Sequence, residues 1–106
     1  MKYHQELTSE RWEKFNLFEQ MANIGSEVFR SISWHKRDPK LSKLAFERAL
    51  ELFDLTIADP KNKYRLKEIC RAREVLVDYF FSDNIYGSSD KLWLNYFNAF
   101  NYAARI

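Results

Sequence analysis

Two aspartate–proline pairs, Asp38-Pro39 and Asp59-Pro60, limit what this chain can fold into more than any other feature. An Asp side chain accepts from the free N–H groups of a first helical turn. Pro at the first helical position lacks the donor that would go unpaired there. Each pair therefore predicts that one helix ends and the next begins almost without a loop, as in antiparallel helical hairpins. Only two Gly and two Pro, with 46% hydrophobic and 30% charged residues, exclude disorder and weigh against a turn-rich β fold.

Apolar periodicity then gives four helices. The first is expected from Ser9 or Glu10 to about Trp34, capped by Thr8 or Ser9. Leu17, Met21, Ile24 and Val28 form its apolar row, widened by Phe18, Ala22, Phe29 and Ile32. Gly25 makes a small-residue patch with Ala22 and Ser26, which lets a neighbouring helix approach closely. The second helix spans about Pro39 to Ala58, with an apolar arc wide enough for two neighbours or for a partner chain. The third runs from Pro60 to Phe81, with Lys67, Glu68, Arg71, Glu74 and Asp78 on its wet side and Cys70 in the core. After a loop from Asp83 to Gly87, Ser88, Ser89 or Asp90 caps the fourth. The chain is thus expected to be one all-α domain over residues 1–106, an antiparallel up-down four-helix bundle with residues 1–8 as an extended arm. Helix content should exceed about 65%, against a base rate of roughly one third.

A single cysteine rules out an internal disulfide and suits a reducing cytoplasm. No apolar run is long enough to span a membrane, and the polar N-terminus lacks a signal-peptide core. The net charge of +2 is unevenly spread: residues 36–73 carry eleven Lys/Arg against six Asp/Glu. The basic residues cluster at the two hinges, which an up-down bundle places at opposite ends. A nucleic-acid groove needs one continuous stripe, so these read as solvated helix ends and nucleic acid is not an expected partner.

In that topology the first hinge and the last loop share one end, which gathers Arg30, His35, Lys36, Arg37, Asp83, Tyr86, Ser88 and Asp90 on a rim. Arg30 and His35 have the Arg-x4-His form, which resembles the motif of HEPN domains, small helical bundles that include RNA-cleaving toxins. The resemblance implies an endoribonuclease in which His35 assists proton transfer and Arg30 holds the phosphate. The pairs Glu10-x-x-Glu13 and Glu51-x-x-Asp54 resemble the Mg²⁺-binding pairs of all-helical nucleotide pyrophosphatases, although Glu10 and Glu13 also suit a first helical turn. Neither His4 nor His35 has a Glu three residues earlier, and there is no zinc spacing or Gly-rich phosphate loop. No metal or cofactor is expected.

A broader resemblance rests on Met21-Ala22-Asn23-Ile24-Gly25-Ser26-Glu27-Val28, Phe46-Glu47-Arg48-Ala49-Leu50-Glu51-Leu52 and Tyr86-Gly87-Ser88-Ser89. These stretches are similar to a family of small bacterial all-helical proteins of unassigned function. That implies a bacterial cytoplasmic protein and brings no active site with it. Eighteen aromatics (9 Phe, 6 Tyr and 3 Trp) exceed what one small core needs. The expected function is a non-enzymatic interaction module that self-associates as a homodimer and has room for a protein partner. Phe46, Phe53, Trp93, Phe97 and Tyr102 are its candidate interface. The HEPN-like endoribonuclease using Arg30 and His35 is the alternative.

Overall fold

Both Asp-Pro pairs start helices in the computed structural model, which describes residues 9–105. Asp38 accepts from the N–H groups of Lys40 and Leu41 at 3.1 and 3.3 Å, and Pro39 opens the helix Pro39–Ala58. Asp59 accepts from the Lys61 N–H at 3.1 Å, and Pro60 opens a six-residue 3₁₀ turn, Pro60–Arg65. Five α-helices are present among the described residues: α1 (Ser9–Trp12), α2 (Leu17–Trp34), α3 (Pro39–Ala58), α4 (Leu66–Phe81) and α5 (Asp90–Arg105). Helix covers 82% of them, above the expected 65%, and the chain is all-α. The arm expected at residues 1–8 lies outside the described residues, as does Thr8.

The first expected helix is two. Residues 13–16 break it, and Asn16 recaps the chain: its side chain accepts from the Glu19 N–H at 2.9 Å, while Glu19 accepts from the Asn16 N–H at 2.9 Å. This capping box was present in the sequence as Asn16-x-x-Glu19. The break turns Trp12 inward, where its indole Nε1–H donates to Thr56 Oγ1 at 3.0 Å. The third expected helix begins as a 3₁₀ turn because the Asn62 N–H bonds back three residues to the Asp59 carbonyl. That tighter winding carries the Asn62 side chain inward, where it donates to Gln20 Oε1 and the Thr56 carbonyl at 2.8 and 3.0 Å.

Helix α2 lies against both α3 and α5, and α4 lies against α3. The core combines Met21, Ile24 and Val28 with Phe46, Ala49, Leu52 and Phe53, closed by Ile69, Ala72 and Leu76 on α4 and by Trp93, Phe97 and Phe100 on α5. Four of the five expected interface aromatics are therefore internal. Phe46, Phe53, Trp93 and Phe97 lie on the inner faces of α3 and α5, and only Tyr102 is exposed, at 71%. Three further expectations fail. Phe18 is exposed at the edge of α2. Cys70 is exposed because it follows the inward Ile69 by about 100° of winding.

Asp78 is the third, being buried rather than wet. Its carboxylate accepts from the Ile85 and Tyr86 N–H groups, both at 3.1 Å, so it holds the loop that follows α4. The chain reverses there through Asn84 and Gly87, with φ of 53° and 67°. Among the described residues, no helix is long and apolar enough to cross a membrane.

Candidate functional site

The turn from α2 to α3 is closed by the Trp34 carbonyl, which accepts from the Arg37 and Asp38 N–H groups at 3.0 and 2.8 Å. Just inside it, Ser31 and Ser42 exchange hydrogen bonds. Ser42 Oγ donates to the Ser31 carbonyl at 2.7 Å, and Ser31 Oγ donates to the Ser42 carbonyl at 3.0 Å. Both are buried, and their small side chains let the two backbones come together. Beside this pair opens a cleft of about 200 Å³, lined by both serines, His35, Pro39 and Lys43, with Phe46, Phe80 and Phe81 supplying its aromatic surface.

The aromatic groups form a chain of edge contacts. Phe46 lies 4.9 Å from Phe80 and 4.7 Å from Phe81, the latter nearly perpendicular at 81°, and the His35 ring lies 6.3 Å from Phe80. Phe46 is buried, while Phe81 keeps 54% of its surface exposed. The end of α4 thus brings an apolar wall to the α2–α3 turn. Periodicity places Phe80 on the inner face of its helix and leaves Phe81 as the helix end. What could have pointed to the site is position: Phe81 follows Phe80 by about 100° of winding in the last turn, which carries the second ring toward the edge of the core.

Arg30 and His35 do not share this cleft. Arg30 donates to Glu27, a buried carboxylate three residues earlier, and faces a separate pocket with Trp12, Phe15 and Leu52. The helical winding runs through His35, whose φ and ψ are −50° and −45°, so the two side chains leave α2 about 140° apart. The other oxygen of Glu27, Oε2, lies 3.9 Å from Arg48 and has no hydrogen-bond partner.

The remaining rim residues divide into two groups. Lys36 and Arg37 are exposed on the turn, with the Arg37 guanidinium 4.7 Å above the Trp34 ring. The loop residues are held by each other and by α4. Tyr86 donates its hydroxyl to Glu74 at 2.9 Å and lies under the Arg71 guanidinium. Ser88 is buried, its backbone N–H donating to Asn84 Oδ1 at 2.8 Å. Asp90 accepts from the Tyr79 hydroxyl, and Asp83 is exposed. Apart from Asp83, the loop's named polar groups are engaged in holding its shape. Among the described residues, no three His, Cys, Asp or Glu side chains are grouped to hold a metal ion.

A second polar cluster lies at the other end of α2. Gln20 donates to the Trp12 carbonyl at 3.1 Å and to Asp59 at 2.8 Å, and Lys61 donates to Asp59 and to the Glu13 carbonyl. Burial alone would raise the Asp59 carboxyl, but hydrogen bonds from Lys61 and Gln20 outweigh it and hold the group below its usual range. With Trp12, Thr56 and Asn62 joined to it, the cluster pins α1 and the 3₁₀ turn to α2. Its donors and acceptors satisfy one another, which makes it a structural joint.

Comparison with protein-family models, with characterised proteins and with solved structures gives no significant match to this chain.

Proposed function

We propose that the protein is a non-enzymatic interaction module: an antiparallel up-down bundle of four long helices, α2 to α5, that receives a partner's side chain in the cleft at the α2–α3 turn. The observation that carries this reading is Phe81, packed edge-on against buried Phe46 yet 54% exposed at the cleft mouth. The volume points the same way. Pockets for small ligands and cofactors run from roughly 300 to 1,000 Å³, whereas about 200 Å³ suits a single bulky side chain. The helix arrangement is supported by residue pairs that run in opposite senses along the chain. Ser31 meets Ser42, Glu27 meets Arg48 and Gln20 meets Asp59; likewise Phe46 meets Phe80 and Asp54 meets Arg73.

The test is binding of an uncharged fluorescent probe, N-phenylnaphthylamine, to the folded protein. It should bind at one site, weaken in Phe81→Ser and be unchanged in Tyr102→Ser. No binding, or binding indifferent to Phe81→Ser, removes the reading.

Self-association is a second reading, supported by Leu92 and Tyr102, which are exposed on α5. Sedimentation at micromolar concentration should show a dimer that Tyr102→Ser dissociates, and a 12.8 kDa monomer would remove it. The endoribonuclease alternative is disfavoured by Arg30, which is paired with Glu27 and directed away from His35.

A further inference from the structure

Four basic residues gather around this cleft without an ion-pair partner among the described residues, as Lys63, Lys67 and Arg71 also stand elsewhere; what sets the four apart is that they surround an apolar opening. Arg30, Arg48, Lys61, Arg65 and Arg73 each face a carboxylate. Among the described residues, none of Lys36, Arg37, Lys40 and Lys43 has one within 4.0 Å. Lys43 stands in the cleft wall, and the other three lie on the turn and the first helical turn that lead to it. All four are exposed.

Their position makes the excess positive charge sharper. Lys40 occupies the first turn of α3, where the helix dipole is positive and disfavours cations, Lys43 follows three residues later, and the first turn of α3 contains no acidic residue. Asp38 is the local exception, but its carboxylate is engaged with the Lys40 and Leu41 N–H groups. Cations placed against the dipole without a neutralising partner break a local rule of stability, and such departures concentrate at binding sites. A second copy of this chain would bring the same cations face to face, so charge complementarity argues against a symmetric occupant.

Resting on the cleft reading above, we propose that the occupant is an acidic peptide segment of another protein. One aromatic or large aliphatic side chain enters beside Phe46, Phe80 and Phe81, and flanking Asp or Glu residues meet Lys36, Arg37, Lys40 and Lys43. The apolar anchor supplies most of the affinity. The charges supply orientation, association rate and selection against basic or neutral segments. Because the cations are exposed, their contribution is screened by salt.

The experiment is fluorescence anisotropy with a short labelled peptide carrying one central Trp between Asp and Glu residues. It should bind the wild-type protein with an affinity that falls as salt rises. The same peptide with Gln and Asn in place of the acids should bind about tenfold more weakly, a difference a few exposed ion pairs supply. Lys36→Glu and Lys40→Glu together, neither of which lines the cleft, should weaken acidic-peptide binding at least about tenfold, keep N-phenylnaphthylamine binding, and leave the thermal midpoint equal or higher. The two Lys→Gln substitutions replace the pair if it fails to fold.

Equal affinity for acidic and neutral peptides overturns the inference while the cleft reading stands. So does failure of both peptides to bind a protein that binds the probe. Equal binding of an acidic peptide with Ala for Trp overturns it, as does displacement by a single-stranded oligonucleotide, since either makes the surface a general anion or nucleic-acid site. Failure of the uncharged probe removes the underlying cleft reading, and the inference with it.

Discussion

A Cβ atom added to Gly25 would stand 2.7 Å from the Cβ of Phe97 and 3.0 Å from its Cγ. Helices α2 and α5 therefore approach at a point that only glycine permits, and the obstructing atom is at the root of a buried side chain. Gly25→Ala gains about 1 kcal/mol of helix propensity but must push the helices apart. We expect a net loss of about 1–3 kcal/mol, and more for Gly25→Leu. Thermal unfolding should show it as a fall of about 4–8 °C per kcal/mol. A midpoint at or above wild type for Gly25→Ala would contradict this contact.

The close approach was legible in the sequence because Gly25 with Ala22 and Ser26 marks a small patch at helical spacing. The helix starts at Pro39 and Pro60 were legible for a similar reason, since a cap and a proline act locally. What periodicity missed is set by long-range partners. Trp12 leaves the first helix to reach Thr56, 44 residues away. Asp78 turns inward to hold a loop seven and eight residues later. The aromatics of α3 and α5 were read as surplus because a count of rings does not say how many faces one core has. Phe46, Phe53 and Phe97 are all consumed by that core. The cleft was out of reach because Phe80 and His35 meet only once α4 has folded against α3.

Asp59 gives the structure an acid-sensitive joint. Its folded carboxyl titrates below the ordinary 3.8, so the folded state holds the charge more firmly than the unfolded chain does. The resulting stability is fully present above 3.8 and is lost as pH falls through the lower folded value. The thermal midpoint should therefore decline in that acid window. Asp59→Asn should flatten the decline and lower the midpoint at neutral pH. An unchanged acid profile in Asp59→Asn would show that other carboxylates control it.

The alkaline limb should come from tyrosines. Burial raises the Tyr96 phenol to about 12, with Glu68 adding to the shift, and burial together with Asp90 raises Tyr79 to about 12. Both favour the neutral form in the folded state, so their stability is present below 10.0 and disappears as pH climbs from there through about 12. Phenolate absorbance should show these groups titrating late. The Tyr96 hydroxyl is buried without a hydrogen-bond partner, so Tyr96→Phe should be neutral or stabilising at pH 7 while removing one late step. Loss of stability in Tyr96→Phe would mean that the hydroxyl has a partner in solution.

Purified protein should be inert toward RNA, and His35→Ala should leave stability within about 0.5 kcal/mol of wild type, as expected for an exposed residue at the edge of the cleft. Cleavage by wild type that His35→Ala abolishes would restore the ribonuclease alternative. It would also require Arg30 to leave Glu27.

If the cleft at the α2–α3 turn is an open apolar binding site, its own aromatic rings must report the occupant. Aromatic carbon–proton correlation spectra recorded during titration with the uncharged naphthylamine should move the resonances of Phe46, Phe80, Phe81 and His35 together, at one affinity, and leave Tyr102 in place. Shifts confined to Tyr102 and the other exposed rings, or no saturable shift at the four cleft rings, would contradict the account.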